Sequence, residues 1–128
     1  MELMKFESTR IKGKGRGKPI GFPTINLKIP ENFELKDGIY AANVSIENNI
    51  FKGALHYGPV PTFAEQKKSL EVYLIGLNEL RLPAGRQGLE NLDKQIIKVE
   101  IIKYLRPIIK FKLVEELVKQ IKKDISKI

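Results

Sequence analysis

The apolar residues of this chain change period once. Up to about Leu105 they fall in short β-rich runs divided by turn residues; beyond it they recur at intervals of three and four. Residues 40–46 alternate, close at Glu47, Asn48 and Asn49, and lead into Ile50 and Phe51, the pattern of a hairpin. Residues 70–75 and 95–102 read as further strands. Gly38 precedes the first run, and Pro59 and Pro61 punctuate the stretch before Leu70. Strands in succession with no helix between them predict an antiparallel sheet or barrel. Val114, Leu117, Val118, Ile121 and Ile125 then predict one amphipathic helix over about Leu113 to Ser126, with its acids early and its lysines late. No Ser, Thr, Asp or Asn stands at the expected cap near Lys112. With no repeat and no long linker, residues 1–128 are expected to form a single domain.

Composition narrows the function classes. Hydrophobic residues make up 42% and charged residues 30%, the balance of a globular chain rather than a disordered one. No apolar run approaches the roughly 18 residues needed to cross a bilayer, and Met1 to Phe6 is too short and mixed for a signal peptide. A cytoplasmic protein without membrane contact is expected. Cysteine is absent, which excludes disulfides, thiolate metal sites and cysteine nucleophiles. His56 is the sole histidine, which excludes a multi-histidine metal cage. Lys+Arg 23 against Asp+Glu 15 gives a formal charge of +8, which favours an anionic partner: nucleotide, nucleic acid or membrane surface. The surplus is uneven. Arg10, Lys12, Lys14, Arg16, Lys18 and Lys28 follow one another with no acid between them.

Three elements carry candidate chemistry. The first is the glycine-rich run Gly13, Lys14, Gly15, Arg16, Gly17, Lys18. It is not a P-loop, because Pro19 stands where Ser or Thr is required. It is not a dinucleotide fingerprint either, because the glycine spacing differs and Pro19 and Pro23 forbid the following helix. What remains is a glycine loop on a β scaffold. Its backbone N–H groups can approach phosphate closely, and its cations add positive field. The spacing alone is equally that of a flexible basic turn. The second element is Thr24 and Asn26, which share a face of an extended segment. A hydroxyl and an amide oxygen so placed can ligate a hard cation, or can simply form the polar face of a strand. The third is Glu71, between Leu70 and Val72 and sharing a face with Tyr73. If that face turns inward, the carboxylate can take a proton from a substrate hydroxyl; otherwise it is a solvent-facing strand glutamate. His56 reads as a strand or turn histidine with a structural hydrogen bond.

Together these elements resemble the riboflavin kinase family. The family's Gly-x-Gly-Arg-Gly is matched by Gly13 to Gly17, and its Leu-Gly-Phe-Pro-Thr-Ala-Asn-Leu by residues 20–27. Its Asp-Gly-x-Tyr is matched by Asp37 to Tyr40, its Gly-x-x-Pro-Thr-Phe by Gly58 to Phe63, and its Ser-x-Glu-Val-His-Leu by Ser69 to Leu74. Its Leu-Arg-Pro is matched by Leu105, Arg106 and Pro107. The resemblance implies a mainly β fold, a six-stranded antiparallel Greek-key barrel with a C-terminal helix. It implies transfer of the ATP γ-phosphate to the 5′-hydroxyl of riboflavin, giving FMN, with Mg²⁺ or another divalent cation. Residue by residue, it assigns the nucleotide to Gly13, Lys14, Gly15, Arg16, Gly17, Lys18 and Thr24. It assigns the cation to Thr24 and Asn26, the general base to Glu71, and contact with the flavin to Arg106 and Pro107. Riboflavin and ATP are the expected partners of a monomer, with no nucleic acid.

The chain departs from the pattern in four places. Ile25 replaces alanine between the two cation ligands; it faces the other side of the strand, so packing is affected more than coordination. His56 and Tyr57 replace Asn-Ile, and Tyr73 replaces histidine. Residues 79–91 exceed the family's short hairpin, and the run from Arg81 to Gly88 has neither strand nor helix period. Many bacterial relatives carry an FMN adenylyltransferase domain ahead of the kinase; this sequence starts just before the kinase region, so FAD synthesis is not expected. The competing readings are a basic β-barrel that holds single-stranded nucleic acid and a flavin-binding domain without turnover. Against the first, Phe22, Phe33 and Phe63 sit beside prolines or in turn-like stretches rather than in exposed strand stripes.

Overall fold

Period-two alternation puts Ile25, Leu27, Val44, Leu55, Leu70, Val72, Ile97, Val99 and Ile101 on one face of their strands, and all are buried together. A computed structural model describes residues 4–11, 21–22, 24–59, 67–75 and 95–128. Among these, the strands are β1 (Met4–Ser8), β2 (Arg10–Ile11), β3 (Ile25–Leu27), β4 (Gly38–Ile46), β5 (Asn49–Gly58), β6 (Ser69–Leu74) and β7 (Ile97–Arg106). One helix follows, α1 (Val114–Ser126). The strands form a single antiparallel sheet in the order β1-β7-β4-β5-β6-β3-β2. The mainly β reading and the C-terminal helix are therefore borne out, and the strand count is corrected from six to seven.

The extra strand has a local cause. Residues 4–11 are interrupted at Thr9, so the segment pairs with β7 on one side of the break and with β3 on the other. The break is pinned from β3: Ser8 Oγ donates to the Lys28 carbonyl, and the Lys28 N–H donates to the Thr9 carbonyl at 2.9 Å. The two edge strands of the sheet are thus consecutive in the chain, and the sheet curls around its core. Two register shifts between β4 and β7 leave Ile102 and Leu105 without a partner on β4. Such bulges bend a strand and increase its twist. The first also sets Ile102 and Lys103 side by side on the exposed surface.

Aromatic rings close one end of the core. Phe33 makes edge contacts with Phe6 and Tyr57, each with centroids 4.9 Å apart, and Tyr40 meets Tyr104 at 5.3 Å. Each fully buried aliphatic side chain contributes roughly 1.5–3 kcal/mol. The β4–β5 hairpin turns through Glu47 and Asn48, with Glu47 in the left-handed region at φ 56°.

Helix α1 begins one residue later than the expected start. Leu113 occupies the cap position and has no side-chain acceptor, as the sequence suggested. Glu116 compensates by reaching back to accept the Leu113 N–H at 3.2 Å. The helix is tied to the sheet by a buried ion pair. Arg106, at the end of β7, donates through Nε at 2.9 Å to Asp124 Oδ1 and through Nη2 at 2.8 Å to Asp124 Oδ2. Gln120 donates to the same carboxylate at 2.9 Å. The connection from β7 to α1 passes over Gly58, whose φ is +134°; a side chain there would collide with Ile108 and crowd Asp37. No helix among the described residues is long and apolar enough to cross a membrane.

Candidate active site

Strand register brings two of the predicted site residues together, beside His56. Asn26 on β3 lies directly opposite Glu71 on β6, and Glu71 lies opposite His56 on β5. All three are half-buried on the outer face of the sheet, while their neighbours Ile25, Leu27, Leu55, Tyr57, Leu70 and Val72 fill the core. Glu71 therefore does not turn inward, the condition attached to its role as a base. It gains its partial burial from the side chains around it on the outer face.

Those side chains are specific. Thr24, just before β3, donates from Oγ1 to Glu71 Oε1 at 3.0 Å. Ser69, two residues before Glu71 on the same face of β6, donates from Oγ to Oε2 at 2.8 Å. His56 Nε2 does not compete for the carboxylate, because it is engaged with the Gly58 carbonyl oxygen at 2.9 Å. That is the structural hydrogen bond expected of it. One step along β6, Tyr73 packs edge-on against Phe22 with centroids 5.4 Å apart.

Thr24 and Asn26 share the outer face, as the alternation predicted, and Ile25 between them is buried in the core. A hydroxyl, an amide oxygen and a carboxylate thus converge on one patch. All are hard oxygen donors, the chemistry that suits a divalent cation also held by phosphates. No cluster of three or more His, Cys, Asp or Glu exists among the described residues to hold a cation by charge alone.

Gly13 to Lys18 lie outside the described residues, as do the remainder of the Pro-Thr-Phe element and the 79–91 segment. Ile11, the last described residue before this segment, pairs with Asn26, and the described chain resumes at Gly21, immediately before Phe22. Arg106 and Pro107 fall elsewhere, at the end of β7: Arg106 is held by Asp124, and its Nη1 donates to the Pro107 carbonyl at 3.0 Å.

Two residues of this region escaped the sequence reading. Asp124 carried a legible signal, since it falls seven residues after Leu117 on the apolar stripe of α1 and needs a cationic partner to be there. Ser69 appeared only as part of a matching motif; its role in the site depends on the side-chain direction of Glu71.

Known proteins resemble this chain over nearly its whole length. The family described as Flavokinase: Riboflavin kinase matches residues 2–128. The bifunctional riboflavin kinase/FMN adenylyltransferase of Bacillus subtilis is 32% identical over 118 residues, covering 89% of this chain and 34% of that protein. The riboflavin kinase of Mus musculus is 30% identical over 122 residues, covering 91% of this chain and 72% of that protein. The chain thus spans about a third of the bifunctional relative. The crystal structure of riboflavin kinase from Trypanosoma brucei shares the fold with a TM-score of 0.59 at 16% identity, covering 97% of this chain and 77% of that one. This chain belongs to the riboflavin kinase family.

Proposed function

We propose that the chain is an ATP:riboflavin 5′-phosphotransferase, producing FMN and ADP. The observation that carries this reading is the convergence of Thr24, Asn26 and Glu71, with Glu71 opposite Asn26 in register and hydrogen-bonded to Thr24. The same reading takes the curled seven-stranded sheet as a Greek-key barrel.

Phosphoryl transfer requires mainly positioning and neutralisation of charge. Gly13 to Lys18 are proposed to cover the nucleotide phosphates, with backbone N–H groups and cationic side chains directed at them. Thr24 and Asn26 are proposed to hold a divalent cation through neutral oxygens. When bound, that cation supplies charge neutralisation at the phosphates. The Thr24 hydroxyl proton goes to Glu71, so its oxygen lone pairs stay available as ligands. Glu71 accepts the proton of the riboflavin 5′-hydroxyl as its oxygen attacks the γ-phosphorus and the bond to the β-phosphate oxygen breaks. Each carboxylate oxygen already receives one hydrogen bond and retains a lone pair for this purpose. Arg106 and Pro107 are proposed at the flavin end, where the ion pair with Asp124 fixes the course of the chain from β7 towards α1.

The test is steady-state kinetics of Glu71→Gln, which preserves size and removes the base. It is expected to lower kcat by about 10²–10⁴-fold with little change in either KM. Turnover near the wild-type rate would remove Glu71 from the mechanism.

A further inference from the structure

We propose that Ser69 is a positioning residue that holds the Glu71 carboxylate in its reactive orientation, an inference that rests on the reading of Glu71 as the proton acceptor. A glutamate on the outer face of a strand has three rotatable bonds, and its terminal torsion is broad. Unrestrained, it spreads over many rotamers and directs its oxygens away from a substrate for much of the time. Here the carboxylate is held from two directions. Thr24 donates across the strand pair to Oε1 at 3.0 Å, and Ser69 donates along β6 to Oε2 at 2.8 Å. With one donor per oxygen, the plane of the carboxylate is fixed.

The two donors are not equivalent. Thr24 is also proposed as a cation ligand, so its substitution perturbs two functions. Ser69 makes its side-chain hydrogen bond to Glu71, and it lies opposite Gly58, which presents no side chain to it. His56, the β5 neighbour of Glu71, is engaged with the Gly58 carbonyl and cannot substitute as a donor through that nitrogen. Ser69 acts on the reaction only through Glu71.

The experiment is a kinetic cycle on the full chain with riboflavin, ATP and Mg²⁺. It uses Ser69→Ala, Ser69→Val, Ser69→Thr, Glu71→Gln and the Ser69→Ala/Glu71→Gln double variant. Val and Thr have the same shape and suit a strand equally, so this pair isolates the hydroxyl from any effect on folding. Ser69→Ala and Ser69→Val are expected to lower kcat about tenfold, well short of the roughly 10²–10⁴-fold that a positioned base contributes in total. Both KM values are expected to stay within about twofold, and Ser69→Thr to restore kcat to within about twofold of wild type. In the Glu71→Gln background, Ser69→Ala is expected to cost almost nothing further. A slow Glu71→Gln beside a fast Ser69→Val, or an equal loss in both backgrounds, would overturn the role of Ser69 alone. A fast Glu71→Gln would instead overturn the base on which the inference rests.

Discussion

Thr24 faces two demands, and they are compatible because a hydroxyl has one proton and two lone pairs. Its proton goes to Glu71, and its oxygen keeps lone pairs for the proposed cation. Thr24→Ala is therefore expected to weaken Mg-ATP binding about tenfold, near 1.4 kcal/mol, while riboflavin binding changes little. Calorimetry with each substrate separates the two, and an unchanged Mg-ATP affinity would refute the assignment. The common face of Thr24 and Asn26 was legible because an extended chain alternates sides. The apolar residues on either side of Glu71 were also legible, and they are what drives Leu70 and Val72 into the core. The neighbours of Glu71 were not legible. They depend on the register of β3, β5 and β6, and no single strand encodes its register.

At the scale of elements, the critical joint is between β7 and α1. Asp124 is only 3% exposed, and it is held by Arg106 and Gln120. Arg106→Ala leaves a buried carboxylate without its cation, a change that typically costs about 3–5 kcal/mol. The variant is expected to lower the urea midpoint accordingly and to speed amide exchange in α1 before the sheet opens. Full stability in Arg106→Ala would show that the ion pair does not hold the helix. The helix itself was legible from its period to within one residue. Its mooring was legible only in part, since Asp124 on the apolar stripe signals a partner without identifying Arg106. The strand count was missed because the break at Thr9 leaves no Gly or Pro in the sequence; it reflects a change of pairing partner between Ser8 and Arg10.

For the whole molecule, two described groups tie stability to alkaline pH. Burial, followed by the nearby Tyr104 and Asp37, raises the Tyr40 hydroxyl above its ordinary value, and the hydroxyl donates to the Lys36 carbonyl. The hydrogen bond to Asp37 raises the exposed Lys68 ammonium. In both cases the folded state holds its proton more tightly than the unfolded chain. Their stabilisation is therefore complete below about pH 10, the unfolded value, and is lost as pH rises through the folded values. Urea midpoints are expected to be insensitive to these groups near neutrality and to fall above about pH 10, with a shallower fall for Tyr40→Phe; an identical alkaline slope in that variant would contradict the assignment. The curled sheet holds these groups, the Arg106–Asp124 joint and the Glu71 patch around one core, the assembly proposed to make FMN. The direct measurement is incubation of the purified chain with riboflavin, ATP and Mg²⁺, followed by chromatography for FMN and ADP. The two products are expected in equal amounts, dependent on the cation; a folded chain that binds riboflavin and Mg-ATP yet forms no FMN would contradict the proposed function.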